Sequence, residues 1–226
     1  MTSAARDDAT SYVYMFPSRV AFDGRGGLSL QWPADKGPFA VAPAPAPNGA
    51  LATVQAKPDA LTAEECDRVI ALGEAAHAEA GRVEDGPSRY RVSRIAWLAP
   101  SPDTEWLFHR LAVLFAEANR HYGLELVGFV DALQYTVYGA GQHFDWHLDL
   151  GPGSTSARKL SMSIQLSHPD DYAGGGLEFV SVPLRAEASR RGTAIIFPSF
   201  LAHRVTAVTR GIRRSLVGWA YGPTFR

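Results

Sequence analysis

Apolar and polar positions change rhythm twice along this chain. Up to about residue 57, short apolar stretches (Tyr12 to Phe16, Leu28 to Trp32) are broken by glycine and proline. Within that region Ala42-Pro43-Ala44-Pro45-Ala46-Pro47-Asn48-Gly49 is linker-like, because each proline fixes an extended backbone and removes a hydrogen-bond donor. Residues 1–57 are therefore expected to form an N-terminal extension and a Pro/Ala-rich linker, and 58–226 the main domain. The early apolar stretches are candidates for edge strands of that domain. A helical rhythm then begins. Thr62 and Glu65 have capping-box spacing, and Cys66, Val69, Ile70, Gly73 and His77 fall on one face, which predicts a helix over 62–80. Residues 89–98 read as a strand. A second helix is expected over 103–122. Asp103 or Thr104 would cap it, Leu107, Leu111, Leu114, Phe115 and Ala118 would be its buried stripe, and Gly123 would end it.

From Leu124 the rhythm becomes that of strands. The runs fall near 125–138, 143–149, 159–167, 176–182, 193–198, 202–208 and 214–221. Gly139 and Gly141, Gly151-Pro152-Gly153, Gly174-Gly175-Gly176 and Arg210-Gly211 punctuate them. Many short strands with such turns predict a sandwich or barrel. The fold class expected is mainly β with supporting α-helices, the β core spanning 124–222. No internal repeat is present.

Composition narrows the function. The chain has 226 residues, 46% of them apolar, which is enough for a sizeable core. Basic and acidic residues number 22 and 23, so no net positive field draws the chain to nucleic acid or an anionic membrane. One cysteine, Cys66, makes neither an internal disulfide nor a cysteine metal cluster. Met1 to Ser11 lacks the apolar core of a signal peptide, and no apolar run is long enough to span a bilayer. The expectation is a cytoplasmic protein with no nucleic-acid or membrane partner.

The chemistry concentrates in Tyr138-Gly139-Ala140-Gly141-Gln142-His143-Phe144-Asp145-Trp146-His147-Leu148-Asp149. On a strand, residues two apart share a face, so His147 and Asp149 can hold one ion. So can His143 and Asp145, and alternation alone does not choose between the pairs. Two imidazoles and a carboxylate on one side of iron(II) leave open positions for oxygen and a bidentate keto acid. The best candidate for the third ligand is His203, just past Ala194-Ile195-Ile196-Phe197-Pro198. Arg213 and Ser215 follow. The Arg210-Gly211 turn is expected to send their strand back beside the one carrying His203. A guanidinium is a rigid fork that fits a carboxylate, so Arg213 can grip the far end of a chelating keto acid and Ser215 can add a hydroxyl.

From about Leu61 to its end the chain resembles the prolyl-4-hydroxylase-like branch of the 2-oxoglutarate/Fe(II) oxygenases, especially the bacterial PKHD-type hydroxylases. Tyr138-Gly139, Gly141, Phe144, His147 and Asp149 follow the branch's Y-G-x-G-x-x-[YF]-x-x-H-x-D pattern. That register selects His147 and Asp149 and leaves His143 outside. Leu160 to Phe179 follows the next strand, loop and G-G-x-L hairpin; Phe197-Pro198 to His203-Arg204-Val205 follows the distal-histidine strand; Arg213 and Ser215 follow R-x-S.

The resemblance implies a double-stranded β-helix (jelly-roll) core. It implies iron(II) on His147, Asp149 and His203, and 2-oxoglutarate on Arg213 and Ser215, with Tyr138, Gln165 and more weakly Ser163 near the keto acid. It also implies oxygen as oxidant, release of succinate and carbon dioxide, hydroxylation of an aliphatic carbon, and ascorbate as reductant. Many prolyl-4-hydroxylases carry a lysine where Arg213 stands. Asp149 disfavours the halogenating relatives, which lack the carboxylate.

The substrate expected is a free amino acid, a peptidyl side chain or a small metabolite. Arg89, Arg91, Arg94 and Lys159 are cations available to a substrate carboxylate. Trp97, Trp106 and Trp219 read as core, and His77, His109, His121 and His168 as structural. Two other readings stand beside the enzyme: a non-catalytic metal- and 2-oxoglutarate-binding sensing module, and a cupin-like hydrolase or lyase using another metal. The last would need a general base, for which Asp145 and Glu178 are the candidates, and would not need Arg213.

Overall fold

The computed structural model of the protein describes residues 10–14, 19–22, 28–31, 39–43, 48–80 and 90–224. Positions 44–47 of the linker-like stretch, Arg89 and the side chain of His77 lie outside the described residues. The chain divides into two compact units, Met1–Asn48 and Gly49–Arg226. In the first, strands β1 (Thr10–Tyr14), β2 (Arg19–Phe22), β3 (Leu28–Gln31) and β4 (Phe39–Pro43) form two antiparallel pairs, β1 with β4 and β2 with β3. The two apolar stretches there thus carry β1 and β3, each paired with another strand of this unit, β4 and β2 respectively.

The second unit begins earlier than the boundary expected after residue 57. Its first strand, β5 (Gln55–Lys57), pairs with a core strand, so this part of the expected linker belongs to the main sheet. Next come α1 (Ala63–Ala80), β6 (Arg91–Val92), β7 (Arg94–Leu98) and α2 (Glu105–Tyr122). They are followed by β8 (Leu133–Tyr138), β9 (His143–His147), β10 (Arg158–Gln165), β11 (Tyr172–Gly174) and β12 (Leu177–Phe179). The chain ends with β13 (Ala194–Pro198), β14 (His203–Val205), β15 (Val208–Gly211) and β16 (Arg213–Tyr221).

One sheet has six strands in the order β5-β13-β10-β16-β8-β7; another has four, β12-β14-β9-β6; β11 and β15 form a third pair. The expected class, mainly β with supporting helices, is the class observed.

At α2 the expected cap is only positional: Thr104 precedes the helix, but its hydroxyl donates to the Ala99 carbonyl at 2.7 Å instead of capping. α1 starts as its sequence dictates. Thr62 Oγ1 accepts from the Glu65 N–H at 3.1 Å while a Glu65 carboxylate oxygen accepts from the Thr62 N–H at 2.8 Å, a reciprocal cap. Gly123, left-handed at φ 65°, ends α2 by donating its N–H to the Asn119 carbonyl at 2.7 Å. Both helices bury their stripes against one face of the six-stranded sheet. Leu133, Tyr135 and Val137, Leu160, Met162 and Ile164, and Leu216 and Ala220 meet Cys66, Val69, Leu107, Leu111 and Phe115 there. Each leucine fully buried in this layer contributes roughly 1.5–3 kcal/mol. Gly73 permits the close approach of α1, because a Cβ on it would lie 2.3 Å from the Tyr135 ring.

The intervening positions (Gln134, Thr136, Tyr138; Ser161, Ser163, Gln165; Arg213, Ser215) point to the other face. They are buried too, all but Ser163 fully. A pleated strand separates the two sets by its period of two.

Two expectations about strands are corrected. The run 125–138 is a strand only from Leu133. Before it Leu124, Leu126 and Phe129 pack as loop residues against the helical core, and the Asn119 amide satisfies both backbone groups of Leu124, at 2.7 and 3.0 Å. The strand of Arg213 does not run back beside that of His203. After β14 the chain pairs β15 with β11 and then crosses sheets, so that β16 lies between β10 and β8.

Candidate metal centre

β9 and β14 are antiparallel neighbours, and their register sets His147 directly opposite His203. Asp149 lies just past the end of β9. Its N–H and that of Leu150 both donate to the Ser199 carbonyl at 3.0 Å, which fixes the turn that carries the carboxylate. The ligand atoms of His147, Asp149 and His203 all fall within 4.8 Å of one another. His147 Nε2 is 3.8 Å from Asp149 Oδ1, and His203 Nε2 is 3.6 Å from Oδ2. Those separations are too long for hydrogen bonds and suit atoms converging on a common point.

Each ring is oriented from behind. His147 Nδ1 donates to the Asp145 carbonyl at 2.8 Å and His203 Nδ1 to that of Leu201 at 2.9 Å. This tautomer, assigned from the carbonyl partners, leaves both Nε2 lone pairs facing the carboxylate, the arrangement found behind metal-bound histidines. Burial, and after it the like charge of His203, lowers His147 from 6.5 to about 4, so the ring is neutral at pH 7. Phe144 stacks on His147 at 3.5 Å between centroids. Phe197 stands 4.7 Å from His203. The donor set, two imidazoles and one carboxylate on one side, fits iron(II).

The other wall is the six-stranded sheet. Arg213 on β16 pairs across to Tyr138 on β8, and its guanidinium carbon lies 5.7 Å from the Tyr138 ring centre. Arg213 is 4% exposed, yet among the described residues its hydrogen bonding amounts to a long 3.5 Å contact to Ser215 Oγ. Among the described residues no carboxylate lies within ion-pairing distance of it. A buried cation without a counter-ion is costly, which marks the position as prepared for an anion. Burial raises the Tyr138 hydroxyl above the ordinary phenol range, so it remains a neutral donor.

A cavity of about 310 Å³ lies between the two walls and is lined by His147, Asp149, His203, Arg213, Ser215 and Tyr138. The structure therefore gathers six of the seven expected site residues around one space. Gln165, the seventh, is buried but lines a neighbouring cavity behind Arg213; its amide donates to Tyr172 Oη at 3.0 Å and the Ser167 carbonyl at 3.3 Å. Ser163 lines both cavities. His143 pairs across to Val92 of β6 and stays outside the trio. Asp145 is exposed and accepts from the Trp146 N–H, while Glu178 is held by Arg204 at 2.8 Å. Neither lines the main cavity as a general base.

His109, His121 and His168 lie away from it, beside Glu105, Thr53 and Asp170. Of the expected cations Arg91 lines the cavity, with its guanidinium 4.7 Å over Phe144 and a buried Nη2 lacking a partner. Trp106 is partly buried against the helical core, as expected. Trp219 is buried but also lines the cavity, and Trp97 beside it is 46% exposed and lines it too rather than joining the core.

Sequence reasoning missed Gln134, and it missed Arg158, which stacks 3.8 Å over Trp219 and is held by Asp131. The polar alternation Gln134, Thr136, Tyr138 was the available signal for the first. No local pattern distinguished Arg158 from the other arginines.

Residues 133–221 match the 2OG-Fe(II) oxygenase superfamily. This segment carries all seven expected site residues, and by it the chain is similar to that family, whose description names iron(II) and 2-oxoglutarate. Its likeness is to the prolyl-4-hydroxylase-like, PKHD-type branch. It is 37% identical over 93 residues to a PKHD-type hydroxylase of Picosynechococcus sp., covering 40% of this chain and 42% of that one. Against a PKHD-type hydroxylase of Hyphomonas neptunium it is 39% identical over 87 residues, 36% and 38% of the two chains. The match thus spans about two fifths of the length of these curated relatives.

Among solved structures, a Pseudomonas putida prolyl-4-hydroxylase superposes with a TM-score of 0.63 at 23% identity, over 78% of this chain and 97% of that one. A prolyl hydroxylase from Trichoplax adhaerens, solved with a hypoxia inducible factor peptide fragment, gives 0.58 at 15%, over 75% and 83%. The shared fold is the double-stranded β-helix. No helix among the described residues is long and apolar enough to cross a membrane.

Proposed function

We propose that the protein is a 2-oxoglutarate-dependent dioxygenase that hydroxylates an aliphatic carbon of an amino acid, a peptidyl side chain or a small metabolite, releasing succinate and carbon dioxide. The observation that carries this reading is the pairing, across one cavity, of a three-residue metal-type cluster with a buried, ion-unpaired guanidinium. His147, Asp149 and His203 would hold iron(II), which when bound supplies oxygen activation and a chelating position for the keto acid. Arg213 would take the far carboxylate through its fork, with Ser215 Oγ and the neutral Tyr138 hydroxyl as further donors. Gln165 would support that pocket from behind rather than line it.

Phe144, Phe197 and Phe179 close apolar surface around the imidazoles and keep bulk water from their inner edges. Arg91 Nη2 and the buried Trp219 Nε1 are donors without protein partners, and both residues line the cavity. They favour a substrate that brings a hydrogen-bond acceptor to the front wall. Ascorbate as reductant and a cytoplasmic setting belong to the same proposal.

Succinate production under air with iron(II), ascorbate and 2-oxoglutarate tests it. Iron-dependent succinate from the wild type and none from His147→Ala is the expected result. A protein that binds metal and keto acid yet makes no succinate with any candidate substrate would instead be a sensing module. One that hydrolyses or cleaves substrate without consuming keto acid would be the other-metal enzyme.

A further inference from the structure

Arg213 is reached from two sides. Behind the main cavity lies a second, of about 260 Å³, and Ser163, Leu177 and Arg213 line both. The rear space is mixed, with Leu177, Leu184, Ala188 and Ile195 on its apolar side. Ser163 and Gln165 of β10 and Tyr172 line it beside Arg213, and Gly175 and Gly176 supply wall without side chains. Gly175 stands at φ +63°, and a Cβ there would lie 3.0 Å from Arg213 Cδ, so even alanine would press on the arginine. The outer lining comes from the segment after β12. Arg185, Ala186 and Ser189, all exposed, border the space, with Ala186 and Ser189 on a 3-10 turn. Glu178, the acidic residue at this opening, is paired with Arg204 at 2.8 Å. Arg185 forms no salt bridge among the described residues. A cation at the mouth, a wall with Ser163, Gln165 and Tyr172 on it and a buried cation at the end describe a short path for an anion.

We propose that this rear cavity is an anion port, through which a dicarboxylate of the size of 2-oxoglutarate or succinate reaches and leaves Arg213 without passing the front cavity. The inference rests on the proposed role of Arg213 and adds to it. A substrate seated against Arg91, Trp97 and Trp219 would cover the front of the site. With a rear port, the keto acid and its dicarboxylate product still exchange while that front is covered. Arg185 attracts the anion, and the small residues at positions 176, 186 and 189 keep the passage open.

The test is rapid-mixing binding of 2-oxoglutarate to the iron(II)-loaded protein without oxygen, followed by the absorbance of the chelate. Both rate constants are compared for wild type, Ala186→Trp, Ser189→Trp and Arg185→Glu. A front-rim control, Leu148→Trp, is made at a position 51% exposed. A plugged port slows association and release by the same factor, roughly tenfold, and leaves Kd unchanged, because a gate alters the path and not the end states. Arg185→Glu slows association alone, and more so at low salt. Leu148→Trp changes neither rate.

Unchanged rates in both tryptophan variants with slowed binding in Leu148→Trp would overturn the port and place the route at the front. Unchanged rates in all of them would overturn it as well. Absence of keto-acid binding by the wild type would overturn the functional reading itself, a result distinguishable from either.

Discussion

The two faces of the six-stranded sheet carry the same strands and opposite chemistry. On the helix side Leu133, Tyr135, Val137, Leu160, Met162, Ile164 and Leu216 are closed under α1 and α2. On the other side Thr136, Tyr138, Gln165, Arg213 and Ser215 are just as buried, yet they are polar, and Tyr138, Arg213 and Ser215 face a cavity. One residue of strand advance separates a position closed under the helices from one that faces the other way, toward the cavity side. The faces also differ in how their burial is satisfied. Apolar side chains need only contact, whereas Arg213 is left with its guanidinium unmatched by any carboxylate of the described chain.

Substitutions on the two faces should therefore separate, and the largest separation is expected at the metal cluster. His147→Ala should lose iron-dependent succinate formation to background while its thermal midpoint stays near that of the metal-free wild type. A collapse of the midpoint would show that the cluster holds the fold together. Next, Arg213→Ala removes a charged two-point contact, each bond of which is worth about 1.5–3 kcal/mol. The KM for 2-oxoglutarate should rise roughly a hundredfold or more by the same reckoning, with activity restored at high keto acid.

On the opposite face Leu111→Ala should cost about 2–5 kcal/mol in denaturant melts, the range for a fully buried leucine. Its keto-acid affinity, measured where it is still folded, should be unchanged.

Two smaller effects sharpen the contrast. Arg213→Met exchanges an unpaired buried charge for an apolar chain of similar reach, and the unliganded protein should gain about 1 kcal/mol. The reverse change on the helix face, Met162→Arg, should have the opposite sign. The second concerns pH. His147 is lowered from 6.5 to about 4 in the folded chain, so between those values the unfolded state binds more protons. Stability of the metal-free protein should fall as pH drops from about 6.5 to about 4, and His147→Ala should flatten that part of the curve.

The same contrast explains what could be read from the sequence. Features set by near neighbours were legible: the Thr62–Glu65 cap, the Gly123 stop, the stripe of α2, and the side-by-side spacing of His147 and Asp149. The choice of His147 over His143 was not legible from alternation. It required the family pattern, and in three dimensions it depends on register, which sets His203 opposite His147 at the last residue of β9. The partner of Arg213's strand was misread, since a turn at Arg210-Gly211 says that the chain reverses but not which sheet it rejoins. The loop packing of Leu124, Leu126 and Phe129 was hidden because a loop over a helical core and a buried strand share an apolar composition. Arg158 was hidden because its partners Asp131 and Trp219 come from other strands and loops.

The central claim is that one cavity holds a metal-chelated keto acid at one end and grips it with Arg213 at the other. Equilibrium titration of the iron(II)-loaded protein with 2-oxoglutarate in the absence of oxygen tests it directly. The account predicts a saturable chelate absorbance that is absent in His147→Ala and shifted to much higher keto acid in Arg213→Ala. An identical titration in wild type and Arg213→Ala, or a wild type that loads iron but never shows the band, would contradict it.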